Sequence, residues 1–203
     1  MRSDSKAVLG EGSTDGIGPW LDGPGGRVVL VSHDLADAEI YCRWFNDPEL
    51  HHYNCDRRFT AFSLDETVDL LRRSWIETGP DCRRFAVRLL GTGRLVGQAD
   101  IYQIHADSRR ARVGLEIGEK DLWGRGLGRE VLGMLLEEAF GSLDLHRVEA
   151  LIYSFNLRSV RLFERAGFRR EGVLRERLAR DGGFHDEYIY GLLAREWRER
   201  RFP

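Results

Sequence analysis

Cysteine is scarce in this chain: there are three in 203 residues, at positions 42, 55 and 82. The set is odd in number, scattered, and without C-x-x-C spacing. It argues against a disulfide frame or a thiolate zinc site and fits a reducing cytoplasm. Lysine is scarcer. Only Lys6 and Lys120 contribute to a Lys+Arg total of 31, so the positive charge is almost all arginine. Net charge is −2, which gives no global attraction to nucleic acid or to an anionic membrane. No run approaches the ~20 apolar residues of a membrane helix. The N-terminus lacks the basic-then-apolar pattern of a signal peptide. Internal repeats are absent. The adjacent His51 and His52 lack the i, i+4 spacing of helix-borne metal ligands, and no metal is expected.

Glycine, in contrast, is plentiful, at 23 residues. Seven of these fall in residues 1–26, among Ser, Asp and Pro and few apolar residues. That composition predicts a flexible tail. The remainder, 27–203, is long enough for one domain with an ordinary core.

The most informative stretch is Leu115–Phe140. A strand-like run, Val113–Gly118, leads to the turn Trp123-Gly124-Arg125-Gly126-Leu127-Gly128. After it Leu127, Val131, Leu132, Leu135, Leu136, Ala139 and Phe140 recur at three- and four-residue steps, the period of an amphipathic helix. Glycines leave backbone amides uncovered, and the first amides of a helix have no partner within it. A pyrophosphate fits such a place, with Arg125 and Arg129 adding positive charge. Taken alone, a turn of this kind serves equally as a tight corner. Its G-x-G-x-G spacing is not the dinucleotide fingerprint, and no Gly-Lys-Ser/Thr follows to make a nucleotide P-loop.

The other elements read as follows. Arg27–Ser32 is a strand. A helix carries Leu35, Ala38, Tyr41, Trp44 and Phe45 on one face and is stopped by Asn46-Asp47-Pro48, leaving His51, His52 and Tyr53 in a loop. Ser63-x-x-Glu66 is a capping box opening a helix with Val68, Leu71 and Trp75 inward. Arg83–Leu90 and Arg94–His105 form a hairpin around Gly91-Thr92-Gly93, and Ala111–Gly118 is the next strand. His146–Tyr153 is a strand. Asn156 caps a short helix that ends at Gly167. Val173–Ala179 and Phe184–Leu192 form a last hairpin, and Arg195–Arg201 a charged helix. This order, β-α-α-β-β-β-α-β-α-β-β, predicts a mixed, mostly antiparallel α/β sheet flanked by helices.

The order resembles the GCN5-related N-acetyltransferase (GNAT) fold over roughly residues 27–197. Three motifs carry the resemblance. The turn 123–128 is similar to the family's acetyl-CoA signature, Q/R-x-x-G-x-G/A. Asn156-x-x-Ser159-x-x-x-Phe163-x-x-x-Gly167-Phe168 is similar to its N-x-x-[AS]-x-x-x-[YF]-x-x-x-G-F segment. Leu174-Arg175, Asp181-Gly182 and Tyr190-Gly191-Leu192-Leu193 resemble the RimJ/RimL-like branch, which acetylates ribosomal-protein N-termini and polyamines. Two positions depart from the pattern: Trp123 replaces the usual Gln or Arg, and Phe163 replaces a tyrosine that protonates the departing thiolate.

The resemblance implies an N-acetyltransferase that uses acetyl-CoA and an amine acceptor, in a family where homodimers are frequent. It places the diphosphate on the backbone from Arg125 to Arg129, with Trp123 to Gly128 forming the turn. The pantetheine arm lies along Leu115 and Ile117 and near Asn156 and Ser159. Glu116, at the strand end, is the candidate base. Ser159, Tyr153 or a water serves the leaving thiolate. Asp100, Glu116, Asp186 and Glu187 are candidates for an acidic acceptor pocket, shaped by the loops His51–Phe59 and His105–Arg110. Because Phe163 has no proton to give, a non-catalytic CoA-binding module is the alternative.

Overall fold

The structure, a computed structural model, describes residues 26–201. All but the last residue of the proposed tail lies outside this range. Seven strands form one sheet: β1 (Val28–Val31), β2 (Arg83–Leu89), β3 (Leu95–His105), β4 (Arg110–Ile117), β5 (Arg147–Tyr153), β6 (Arg169–Arg180) and β7 (Gly183–Leu193). Their order is β1-β2-β3-β4-β5-β7-β6. Neighbours are antiparallel except β4 and β5, which are parallel. The expected mixed α/β sheet is present.

Alternation along the strands gives the sheet two apolar faces. Phe85, Val87, Ala99, Ile101, Val113, Val148, Ile152 and Leu192 join one core cluster. Helix α4 (Leu127–Glu137) covers it with Leu127, Val131, Leu132, Leu135 and Leu136, all buried. Each such side chain contributes roughly 1.5–3 kcal/mol of burial. Helix α5 (Leu157–Ala166) adds Phe163. The second face carries Ala86 and packs against Tyr41 and Trp44 of α1 (Ala38–Phe45), Leu50 of α2 (Pro48–Asn54) and Leu71, just after α3 (Leu64–Leu70). A charged helix, α6 (Ala194–Arg201), closes the described chain.

Two expectations need correction. His51–Tyr53 is helical. Pro48 stops α1, but it also starts α2, where proline's fixed φ and missing N–H cost nothing. The Asp47 carboxylate accepts from the amides of Glu49 (2.9 Å) and Leu50 (3.2 Å). The capping box at Ser63–Glu66 is present in both directions, but the helix widens to π-helical spacing over Leu71–Ile76. α4 does the same over Glu138–Ser142.

The sheet is split. β4 and β5 pair only at Arg110, Ala111 and Arg112. Beyond Arg112 they diverge, while β5 stays paired with β7 as far as Tyr153. The gap opens at the C-terminal end of β4, where the chain turns toward the glycine-rich stretch. Gly118, just past the end of that strand, has no room for a side chain because the Trp44 ring fills the space. A Cβ at Gly118 would lie 2.3 Å from that ring.

Candidate active site

The glycine turn reaches α4 through two left-handed residues, Gly124 (φ 73°) and Gly126 (φ 85°). Gly126 is the N-cap residue and supplies no side-chain acceptor. Among the described residues no protein acceptor meets the amides of Leu127 and Gly128. The Arg129 amide is different: it bonds to the Gly126 carbonyl at 3.1 Å. The free donors therefore end at Gly128, one residue short of the predicted stretch. Arg125 is exposed and lies off the cavity wall, whereas the Arg129 side chain is on it. One cation here had no local sequence signal. Arg27, 103 residues away, binds Glu130 through Nε (2.7 Å) and its backbone amide (2.9 Å). Its guanidinium lies 3.2 Å from where a Gly126 Cβ would be.

A cavity of about 1090 Å³ runs from this turn through the split. Its β4 wall is set by register. Gly118 donates to the Val96 carbonyl at 2.9 Å, and Gln98↔Glu116 and Ala99↔Leu115 follow in the ladder. Hydrogen-bonded and non-hydrogen-bonded pairs alternate along an antiparallel ladder. Leu115 and Ile117 therefore turn their backbone groups away from β3 and into the gap. One of these is already used: the Trp123 indole donates to the Ile117 carbonyl at 2.6 Å. The Arg158 guanidinium lies 4.7 Å over the Trp123 ring.

Through the split, the cavity reaches the opposite face of the sheet. Asp100, Glu116 and Glu187 line it there. Gln98 Nε2 donates to Glu116 at 3.0 Å. Burial pushes the Glu116 acid up to about 7, against the opposing Gln98 bond. Burial likewise pushes Asp100 up to about 6, with Arg84 opposing, and raises Glu187. Asp186 does not join them. Its side chain accepts from the Glu176 amide at 2.9 Å, because adjacent strand residues face opposite sides.

Three tyrosines share this part of the cavity. Tyr153, predicted, is pushed up to about 12 by burial. Tyr102 was not foreseen, whereas Tyr53 lies in the stretch 51–59 expected to shape the acceptor pocket. Tyr53 arrives with Leu50 and Asn54 on α2, so part of the stretch 51–59 does reach the site. The 105–110 turn does not: it sits at the paired end of β4, opposite the split. Asn156 and Ser159 line the cavity, and the Asn156 side chain accepts from the Ser159 amide at 3.2 Å, as a helix cap does. Phe163 is on the wall, edge-on to Phe168 at 5.0 Å. Among the described residues no group of three or more His, Cys, Asp and Glu is placed to hold a metal ion.

An amide cradle, a strand edge with bare backbone groups, and a carboxylate beyond the gap form one continuous groove. Residues 27–169 match the acetyltransferase (GNAT) domain family. The chain belongs to that family. Family members use acetyl-CoA. One relative is the uncharacterized N-acetyltransferase p20 of Bacillus licheniformis. It is 29% identical over 172 residues, covering 84% of this chain and 95% of the relative. Another is the uncharacterized N-acetyltransferase YoaA of Bacillus subtilis, 30% identical over 171 residues, covering 82% and 93%. The spermidine N-acetyltransferase of Vibrio cholerae, solved with CoA and spermine, superposes with a TM-score of 0.76. It is 23% identical and covers 85% of this chain and 98% of that one; the likeness is one of fold. The split between β4 and β5 thus lies in a GNAT fold, in a protein related to N-acetyltransferases.

Proposed function

We propose that the protein transfers the acetyl group of acetyl-CoA to a primary amine by direct attack. The acceptor is a small-molecule amine or a polypeptide N-terminus. The observation that carries this reading is the placement of Glu116. It stands on β4 between two residues whose backbone faces the gap, at the point where the cavity crosses the sheet. The residues present fit the cosubstrate. Leu127 and Gly128 offer amides to the diphosphate, and Leu115 and the Ile117 amide offer strand hydrogen bonds to the pantetheine arm.

The acceptor enters on the side of Asp100, Tyr102, Tyr153 and Glu187. An ammonium must lose a proton before its nitrogen attacks. Glu116, with a pKa near neutrality, suits that proton transfer, since a base works best when its pKa lies near the working pH. The nitrogen then bonds to the acetyl carbon, and the C–S bond breaks with its electron pair on sulfur. The nitrogen sheds its second proton as the amide forms, and Ser159, Tyr153 or a water passes a proton to that sulfur, because Phe163 has none. Much of the acceleration comes from holding the two reactants side by side.

The test is an acetyl-transfer screen over polyamines, amino acids, aminoglycosides and N-terminal peptides, with thiol release as readout. Turnover on one class supports the proposal. CoA binding without turnover on any amine supports the non-catalytic reading, for which Phe163 is the supporting observation.

A further inference from the structure

Three buried side-chain atoms lack a hydrogen-bond partner among the described residues: Arg84 Nε, Arg112 Nε and Glu138 Oε2. Arg112 still has Glu149 at 3.6 Å. Arg84 and Glu138 line a second cavity, of about 330 Å³. None of the residues around it lines the main groove.

Its walls come from distant parts of the chain. His33 follows β1, and Arg84 and Phe85 lie on β2. Trp75 belongs to the π-helical stretch after α3, and Glu138 opens the π-helical stretch after α4. The two π-helical stretches of the described chain thus meet at one cavity. Such wide turns are rare and recur at functional sites.

Charge decides what fits. Glu138 is 7% exposed, and a buried carboxylate oxygen with no donor is costly. Arg84 feels Asp100, its partner across the β2–β3 ladder, yet its Nε stays unmet. Burial keeps His33 neutral, its pKa pushed down to about 3, and its Nδ1 is engaged with the Tyr41 hydroxyl at 2.7 Å. Arg83 also lines the cavity, but it is exposed and donates to the Cys82 carbonyl at 3.2 Å. One unmet anion and one unmet cation therefore border one space without bonding to each other. Trp75 and Phe85 supply apolar wall between them. A small molecule that carries both charges on a short skeleton satisfies both groups at once, and the volume is at the low end for small-molecule sites.

We propose that this cavity is a binding site for a free α-amino acid, whose carboxylate takes the Arg84 guanidinium and whose ammonium takes Glu138, with its side chain against Trp75. A guanidinium engages two carboxylate oxygens at once. The site is separate from the acetyl-transfer groove and does not rest on the acetyl-CoA reading.

Calorimetric titration of the full chain, without CoA, with the standard free α-amino acids tests it. Each is compared with its carboxamide, which lacks the carboxylate, and with its N-acetyl derivative, which lacks the ammonium. At least one amino acid should bind, about tenfold or more tightly than either blocked form. Glu138→Gln should weaken that amino acid about tenfold or more and leave its N-acetyl derivative no worse bound. Arg84→Lys keeps the charge but loses the fork, and should weaken it several-fold. Glu187→Gln, on the acceptor side of the main cavity, should leave the affinity unchanged. A cooperative melt without ligand shows that each variant is folded. Absence of binding by every amino acid overturns the site. So does equal binding of the blocked forms, or an affinity that survives Glu138→Gln. Loss with Glu187→Gln alone overturns it as well, since that result puts the amino acid in the main cavity as an acceptor.

Discussion

Glu116 shows how one residue takes on two roles from its surroundings. Burial disfavours its ionised form, so its pKa rises from the usual carboxylate value to about 7. Two consequences follow. As a base it must be ionised, so kcat/KM should climb through pH ~7. Glu116→Gln should abolish that limb and lower turnover by about 10²–10⁴-fold, with acetyl-CoA affinity kept within about twofold. A pH profile of the two proteins checks this, and unchanged turnover across pH removes Glu116 from the reaction. The second consequence concerns stability. With the folded pKa raised, the folded state holds more protons than the unfolded one between pH ~4.5 and ~7. Stability contributed by this site is therefore lost as pH rises through that window. Glu116→Gln should stabilise the fold by roughly 1–3 kcal/mol at pH 8 and by almost nothing at pH 4, read by denaturant melts. Phe163 is the opposite case: a side chain whose chemistry is absent. Its ring packs on Phe168, so it fills space that a hydroxyl-bearing ring fills elsewhere in the family. On the acetyl-transfer reading, the proton donor is then Ser159, Tyr153 or a water.

At the scale of elements, the turn before α4 and the short helix α2 hold opposite ends of the groove. Gly126 has φ 85° and carries an uncapped helix start. Gly126→Asp places a β-carbon in a strained conformation and a negative charge beside the free amides. Acetyl-CoA affinity should fall at least about 100-fold, against a stability loss of about 1–2 kcal/mol. Near-normal binding by calorimetry would count against the cradle. α2 depends on Asp47, which caps it and also holds Lys120 at 2.7 Å. Asp47→Ala should cost about 1 kcal/mol and raise the KM of the acceptor several-fold, since Leu50, Tyr53 and Asn54 ride on that helix into the cavity. The affinity for acetyl-CoA should hold. Equal effects on both substrates would mean that α2 does not belong to the acceptor side. α2 was hidden from sequence reading because a proline after a helix reads as a stop, although the same residue starts the next turn.

At the scale of the whole molecule, the groove should behave as one binding unit. Acetyl-CoA should raise the melting temperature, and NAD or ATP should not. A shift by NAD alone would favour another nucleotide fold, against the family match. Much of this architecture was legible in the residues. The three-and-four periodicity of α4, the capping box at Ser63, the glycine spacing at 124–128 and the hairpin around Gly91-Thr92-Gly93 are local patterns, and each forms where it was predicted. Glu116 was legible as well, as a carboxylate at a strand end. Asp186 and Glu187 are neighbours on one strand, so one of them had to face away from the site. What local pattern cannot encode is which distant segments meet. Arg27 reaches Glu130 across 103 residues, Tyr102 faces the cavity only because β3 lies in register with β4, and Arg129 and Arg158 line one cavity only because α4 and α5 flank one groove. The chain by itself set the elements, their ends and the chemistry they carry, because hydrogen bonding and apolar spacing act over a few residues. Tertiary structure alone decided that β4 and β5 separate after three pairs, and that separation connects the amide cradle to the carboxylate.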